Sequence, residues 1–198
     1  MRAQAALVLS ISLLLGCTAF GAGNPKVPAG AKSSGGFHAE IDTDKGAITV
    51  EFFPFDSPRA VENFRLLAEH GYYDGSVFHR IVRGFMIQGG SPADGNEQSA
   101  WGGRFEDNIK PGTAIYRLGY KRGIIAMANS GPNTNTSQFF IMHRDFPLPP
   151  NYVIFGFVTR GMDVVDAIAN LPTKVGGFGA EKSSPLVAPV IRTIKILP

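Results

Sequence analysis

The stretch from Phe78 to Gly90 (FHRIVRGFMIQGG) constrains the fold of this chain more than any other segment. Apolar and polar residues alternate in its first part, the alternation breaks at Gly84, and a Gly-Gly pair closes it. Alternation with period two is typical of a strand, and glycine readily allows the backbone to turn. We therefore predict two strands bent around Gly84. Four side chains would then lie near one mostly apolar surface: Arg80, Phe85, Met86 and Gln88.

A second stretch, residues 123–141 (GIIAMANSGPNTNTSQFFI), places a loop rich in Asn, Gly and Thr between two apolar runs. Together the two stretches closely resemble the signature segments of the cyclophilins, the peptidyl-prolyl cis–trans isomerases. The likeness runs from about His38 to Pro198, in long motifs that follow each other in the right order. The resemblance implies an isomerase that needs no cofactor and acts on proline-containing polypeptides.

The segment before these motifs predicts a hairpin followed by a helix. Residues 39–44 and 47–53 alternate apolar with polar residues on either side of Asp44-Lys45-Gly46, which is a hairpin signal. Ser57-Pro58 then predicts a helix start, because serine can cap a helix and proline is tolerated at its first position. Gly71 predicts the end of this helix.

The rest of the chain predicts more strands and one more helix. Residues 91–120 hold many Gly, Asn, Pro and charged residues and predict a long surface loop beside the site. Residues 152–159 and 189–197 predict strands, and residues 161–170 a short helix. Many short strands with two helices favour a mainly β fold, a closed antiparallel barrel. The resemblance implies the same fold, a closed eight-stranded antiparallel β-barrel capped by two α-helices.

Residues 1–16 predict a signal peptide. Arg2 supplies a short positive region, and the apolar run that follows is too short to span a bilayer comfortably. The run ends at Leu14-Leu15-Gly16-Cys17, which resembles the lipobox of bacterial lipoproteins, in which the cysteine is lipidated and becomes the first mature residue. Ala19-Phe20-Gly21 could instead serve as an ordinary cleavage site, which would discard Cys17.

Residues 17–36 predict a flexible tether, and residues 37–198 the isomerase domain. The tether is rich in Gly, Ala, Pro, Ser and Lys, so it cannot bury enough apolar surface to fold. We expect an exported protein held by a lipid on a bacterial membrane, facing the periplasm or the cell exterior. A soluble periplasmic protein is the alternative.

Composition and charge exclude several other classes. Hydrophobic content of 44% with 18% charged residues fits a globular protein. The net charge of +3, or +2 without residues 1–16, is too small for a nucleic-acid-binding protein. Cys17 is the only cysteine, so a disulfide within the chain is impossible, and the four histidines lack metal-ligand spacing. We expect a monomer without metal or cofactor, attached to the membrane only through its lipid.

Rotation about a peptide bond before proline requires neither a nucleophile nor a metal. Its barrier of about 18–20 kcal/mol arises because twisting destroys amide resonance. Twisting also localises a lone pair on the proline nitrogen, which then accepts a hydrogen bond that the planar amide does not. A fixed guanidinium aimed at that nitrogen would therefore favour the twisted amide over both planar forms.

The resemblance implies roles for particular residues, with Arg80 as that catalytic guanidinium. It assigns the pocket for the proline ring to Phe85, Met86, Phe140 and Leu148. It assigns the flanking peptide to Gln88 and the backbone of Asn129, and the neighbouring groove to Ala128, Ser130 and Gln138. Tyr152 stands at the position of a common family histidine and is also assigned to substrate. Since neighbouring strand residues face opposite sides, we expect Phe139 to point into the barrel and His79 to be structural.

The segment Asp145 to Tyr152 departs from the familiar animal pattern. It is one residue shorter and lacks the tryptophan that often precedes the leucine of the pocket rim. Ser130 also replaces a usual alanine. Because Arg80 is retained, the resemblance implies activity, whereas inhibition by cyclosporin is placed in doubt. The competing function is a chaperone or adaptor that binds proline-containing segments with incidental turnover.

Overall fold

The structure is a computed structural model that describes residues 37–92, 94–176 and 179–198. The predicted signal peptide (1–16), the tether (17–36) and Cys17 lie outside these residues. The elements in chain order are β1 His38–Thr43, β2 Gly46–Phe52, α1 Pro58–Glu69, β3 Arg80–Val82, β4 Met86–Gly89, α2 Ala114–Leu118, β5 Ile124–Met127, β6 Phe139–Met142, β7 Ile154–Arg160, α3 Met162–Ala169, β8 Thr173–Val175, β9 Lys182–Pro185 and β10 Ile191–Leu197.

Eight of the strands form one antiparallel sheet in the order β10-β1-β2-β7-β5-β6-β4-β3, and β8 pairs with β9 in a separate hairpin. The mainly β fold with an eight-stranded antiparallel sheet is therefore confirmed. The sheet is curled and its hydrogen-bonded order is open, with β3 and β10 at the edges. Val77, just before β3, makes isolated bridges to Ser91 and Val190. Full closure of the barrel stays a prediction.

The main hydrophobic core lies on one face of this sheet. Phe64 of α1 is at its centre, because its ring packs 5.2–5.6 Å from four other aromatic rings and is fully buried. Those four rings belong to Phe52, Tyr73, Phe139 and Phe155. The prediction that Phe139 points into the core is confirmed.

A second apolar cluster lies on the opposite face of the same strands. Phe140 belongs to this outer cluster, while its neighbour Phe139 belongs to the main core. The period-two alternation of side chains along β4, β5 and β6 produces this division. The buried members of the outer cluster are Met86, Ile115, Tyr120, Ile124, Ala126, Phe140, Met142 and Ile154.

Three features differ from the sequence predictions. The described residues contain three helices rather than two, because the short α2 interrupts the predicted surface loop at residues 91–120 and buries Ile115. The hairpin of β8 and β9 was not predicted. Ser57 precedes α1 but makes no capping bond; instead its hydroxyl donates to the carbonyl oxygen of Ile154, 2.6 Å away. Because Ser57 is buried, a tertiary partner replaces the local one.

Within the described residues, no helix has the length and apolar character needed to cross a membrane.

Replacing Phe64 with alanine tests the aromatic core. We expect the free energy of unfolding to fall by about 3–5 kcal/mol, because the change removes a buried ring and leaves a cavity. Phe55→Ala is the matched control: Phe55 is 91% exposed, and its loss should change stability by less than about 0.5 kcal/mol. Urea unfolding followed by circular dichroism measures both values. Equal effects in the two variants would contradict this assignment of the core.

Candidate active site

The hairpin of β3 and β4 forms the centre of the site. The amide of Phe85 donates to the carbonyl oxygen of Val82 at 2.9 Å, which closes a tight turn. Gly84 lies in this turn with φ of 85°, a conformation that glycine adopts without a steric penalty. The register then places Arg80 directly opposite Gln88. The predicted bend at Gly84 is thus present in the structure.

The strand pairings continue this arrangement across the sheet. Gln88 of β4 lies opposite Phe140 of β6, which in turn lies opposite Ala126 of β5, and Ala126 pairs with Ile154 of β7. Residues directly opposite each other in a sheet project to the same face. One row running over five strands therefore begins with a cation and an amide and ends in apolar side chains.

Arg80 is held by several groups in this row and beyond it. Its Nη1 lies 3.2 Å from Oε1 of Gln88 and 4.0 Å from Sδ of Met86. Its Nε and Nη2 donate to the two carboxylate oxygens of Glu181 at 2.9 and 3.0 Å. These bonds from Arg80 hold the pKa of Glu181 below its usual range. The guanidinium side chain is 19% exposed, so a ligand can still approach it.

A chain of amides extends from Gln88 along the surface. Nε2 of Gln88 donates to Oε1 of Gln138 at 2.7 Å, and Nε2 of Gln138 donates to a carboxylate oxygen of Glu97. The hydroxyl of Ser91 donates to the same oxygen of Glu97 at 2.6 Å. The two glutamines predicted to contact substrate are therefore joined to each other and to an acidic residue.

The predicted proline pocket coincides with the outer apolar cluster. Met86 and Phe140 are buried there, and Phe85, Leu148 and Tyr152 pack against it with part of their surface exposed. The rings of Phe140 and Tyr152 meet edge to face at 5.4 Å. The five side chains form an apolar wall next to the guanidinium of Arg80, whose Nη1 lies 4.0 Å from Sδ of Met86.

Phe146 adds an aromatic ring to the rim of this wall. Its ring centroid lies 4.5 Å from that of Phe85, and the residue is 43% exposed. It stands two residues before Leu148, in the shortened segment that lacks the expected tryptophan. This exposed ring, tilted by 38° against Phe85, extends the apolar surface that a ligand would meet.

Tyr120 fixes the backbone beside the pocket. Its hydroxyl donates to the carbonyl oxygen of Tyr152 at 2.9 Å and accepts the amide hydrogen of the same residue at 3.0 Å. Burial raises the pKa of Tyr120 to about 12, so the hydroxyl stays protonated and keeps both bonds over the whole neutral range. The segment after α2 therefore holds Tyr152 in the loop that leads into β7.

The remaining predicted residues line a polar cavity of about 310 Å³ next to the apolar wall. Gln88 and Ala128 lie between the cavity and the apolar wall. Both border the cavity, Ala128 also packs on the outer cluster, and Gln88 lies opposite Phe140 of that cluster. Asn129 anchors the loop on its far side by donating from its side chain to the carbonyl oxygen of Asn151 at 2.9 Å. The predicted residues on the cavity wall are Gln88, Ala128, Asn129, Ser130 and Gln138, joined by Glu97 and Arg104.

His79 is partly buried, and this burial lowers its pKa, partly opposed by the charge of Glu97. Its structural role stays a prediction. Within the described ranges, no group of three or more His, Cys, Asp or Glu side chains is arranged to hold a metal ion.

Sequence reasoning missed three residues of the site. Glu181 lies 101 residues after Arg80, in a hairpin that the sequence does not predict. Glu97 lies in the segment 91–120, predicted as a loop beside the site, but no local pattern marks it. Phe146 could have been found, because it is a large apolar residue beside the shortened rim. The ten predicted substrate residues and Arg80 nevertheless lie around one continuous surface.

Comparison with known proteins agrees with this geometry. Residues 38–196 match the family described as cyclophilin type peptidyl-prolyl cis-trans isomerase/CLD. Peptidyl-prolyl cis-trans isomerase-like 1 of Neurospora crassa is 43% identical over 136 residues, which cover 67% of this chain and 81% of that protein. Peptidyl-prolyl cis-trans isomerase CYP18-1 of Arabidopsis thaliana is 43% identical over 139 residues, covering 69% and 84%.

The fold also matches solved structures of a cyclophilin type peptidyl-prolyl cis-trans isomerase from Cryptosporidium parvum. One aligns with a TM-score of 0.72 at 34% identity, covering 83% of this chain and 99% of the other. A second, obtained in the presence of the dipeptide Ala-Pro, aligns with a TM-score of 0.71 at 35% identity. From the family match, the relatives and the shared fold, this chain belongs to the cyclophilin-type peptidyl-prolyl cis–trans isomerases.

Proposed function

We propose that this isomerase acts on Xaa-Pro bonds of exported proteins, with Arg80 as its catalytic residue. The observation that carries the catalytic part is the guanidinium held beside an apolar wall: Nη1 of Arg80 lies 3.2 Å from Oε1 of Gln88 and 4.0 Å from Sδ of Met86. A cation in that position can donate to the proline nitrogen only when the amide is twisted.

The guanidinium supplies part of the required rate enhancement. A hydrogen bond involving a charged group contributes about 1.5–3 kcal/mol. A hundred-thousandfold acceleration needs about 7 kcal/mol, at 1.36 kcal/mol for each tenfold step. The rest must come from holding the peptide and from excluding water, because both strengthen the interaction with the twisted amide.

The side chains around Arg80 are suited to these two tasks. The apolar wall of Phe85, Met86, Phe140, Leu148 and Tyr152 would receive the proline ring. An amide NH₂ group has two hydrogens, so Gln88 can keep its bond to Gln138 and donate the second hydrogen to a peptide carbonyl. The polar cavity bordered by Ala128, Asn129, Ser130 and Gln138 would receive the neighbouring part of the chain.

A second candidate function is a chaperone or adaptor that holds proline-containing segments and turns them over only incidentally. The polar cavity and the exposed ring of Phe146 favour this function, because both enlarge the peptide-contacting surface beyond the proline pocket. Catalysis is the better-supported function because Arg80 is fixed on two sides, which simple binding would not require.

The place of action is inferred from the sequence before the isomerase domain. Residues 1–16 have the composition of a bacterial lipoprotein signal, and residues 17–36 that of a flexible tether. We infer a monomer held close to the membrane by lipid on Cys17, where exported chains emerge. A soluble periplasmic form, cleaved after Gly21, is the alternative.

Arg80→Ala should lower kcat/KM for a prolyl peptide at least about a hundredfold, because the donor to the twisted nitrogen is lost. Arg80→Lys should restore little, since an ammonium cannot reproduce the planar fork of donors. Arg83→Ala is the matched control: Arg83 is an exposed arginine of the same hairpin, and its loss should leave kcat/KM within about twofold.

The measurement for this series is a protease-coupled or NMR isomerisation assay on residues 37–198, with circular dichroism to verify folding. Activity of Arg80→Ala within a few-fold of the parent would refute the catalytic role of Arg80. Loss of activity with peptide binding unchanged would favour catalysis over the adaptor function.

Cys17→Ser should release or misprocess the protein without changing the activity of residues 37–198. Two or more acyl chains anchor a protein stably, because each buried CH₂ contributes about 0.8 kcal/mol, whereas one chain anchors only marginally. Membrane fractionation of cells expressing each form, with mass spectrometry of the mature N-terminus, measures the outcome. A mature chain that begins at Ala22 without lipid would exclude the anchor and support the soluble form.

A further inference from the structure

Glu181 reaches the site from a part of the fold that the other site residues do not share. It lies just before β9, 101 residues after Arg80, in the β8–β9 hairpin that packs against β3. Its side chain is 33% exposed, and both of its carboxylate oxygens accept hydrogen bonds from the guanidinium.

Glu181 and Gln88 contact different sides of the Arg80 guanidinium. Glu181 accepts from Nε and Nη2, which form the side-on fork, while Gln88 accepts from Nη1. Nη1 also lies 4.0 Å from Sδ of Met86, a residue of the apolar wall. The carboxylate therefore holds the edge directed away from the proline pocket and leaves Nη1 directed towards it.

This arrangement restrains the orientation of the guanidinium plane. One hydrogen bond through Nη1 alone would permit rotation of the plane about that contact. A two-point bond on the opposite edge removes this freedom, because planar bidentate pairing fixes both direction and tilt. The cross-strand partner Gln88 and the hairpin partner Glu181 together hold the donor in one geometry.

The partner of Arg80 on the Nη1 side is itself oriented by a carboxylate. Glu97 can only accept, so the NH₂ of Gln138 must face it; the oxygen of Gln138 then faces the NH₂ of Gln88, and the oxygen of Gln88 faces Arg80. The donor directions along this chain are therefore set from its acidic end. Arg80 donates to the last amide oxygen of this chain, that of Gln88, and its other edge donates to Glu181.

We propose that Glu181 is a positioning residue for catalysis: it fixes the plane of the Arg80 guanidinium so that Nη1 is directed at the reacting proline nitrogen. Glu181 does not touch the substrate and acts through Arg80. The proposal rests on the catalytic role proposed for Arg80 above.

Orientation and charge make opposite predictions for the loss of Glu181. If the carboxylate mainly weakened the cation by partial neutralisation, its removal would speed the reaction. If it mainly fixes geometry, removal slows the reaction, since a small misplacement of a catalytic group can cost up to about a hundredfold. The pair is bidentate and only 19% and 33% exposed, so its loss can also lower stability. Thermal unfolding followed by circular dichroism therefore accompanies each rate measurement and separates a rate effect from unfolding.

The first test compares Glu181→Ala and Glu181→Gln with the control Lys182→Ala, an exposed neighbour that follows Glu181 in the same hairpin. NMR exchange spectroscopy at saturating peptide gives kcat, and titration of the peptide gives KM.

We expect Glu181→Ala to lower kcat about tenfold or more with KM within about twofold. Glu181→Gln, which keeps one acceptor oxygen, should fall between the parent and Glu181→Ala, and Lys182→Ala should match the parent. Unchanged or increased kcat in Glu181→Ala would overturn the proposal.

The second test is a double-variant cycle with Arg80→Ala. A residue that acts only through Arg80 should have no further effect once Arg80 is absent, so Arg80→Ala and Arg80→Ala/Glu181→Ala should have equal kcat. A further loss in the double variant, by the factor seen in Glu181→Ala, would show that Glu181 acts elsewhere and would overturn the proposal. If Arg80→Ala alone retains activity, the catalytic assignment fails. If Arg80→Ala loses activity and Glu181→Ala does not, only the positioning role fails.

Discussion

The site depends on holding one cation at the border of an apolar surface. A guanidinium there must remain charged, partly accessible and fixed in direction, and the apolar residues beside it offer no hydrogen bonds. The structure meets this constraint with the cross-strand partner Gln88 and the bidentate carboxylate of Glu181. The rest of the site, including the amide chain to Glu97 and the apolar wall, is arranged around that fixed donor.

One sheet carries both the fold and the chemistry, because its strands alternate between two apolar faces. Phe139 packs beneath Phe64 in the main core, while its neighbour Phe140 faces the outer cluster. Strands β4, β5 and β6 thus contribute side chains to the main core on one face and to the outer cluster on the other. This arrangement also means that a one-residue slip in register would exchange a core residue for a site residue.

The parts of the structure that the sequence predicted are those encoded locally. The bend at Gly84, the helix after Ser57 and the opposite facing of Phe139 and Phe140 follow from glycine, proline and period-two patterns. The ion pair with Glu181 could not be predicted, because it depends on where a distant hairpin docks. The bond of Ser57 to Ile154 shows the same limit: a local capping signal gave way to a tertiary partner.

The pairing of β1 with β10 has a consequence for how the molecule must assemble. His38 lies opposite Leu197, so the first and last strands of the described fold share one ladder. Contacts this distant in sequence slow folding, because a long loop must close before the contacts stabilise it. A growing chain that lacks β10 would expose the edge of β1 to pairing with other chains. Pairing with β10 therefore covers the edge of β1, which stays open to other chains until β10 has been made.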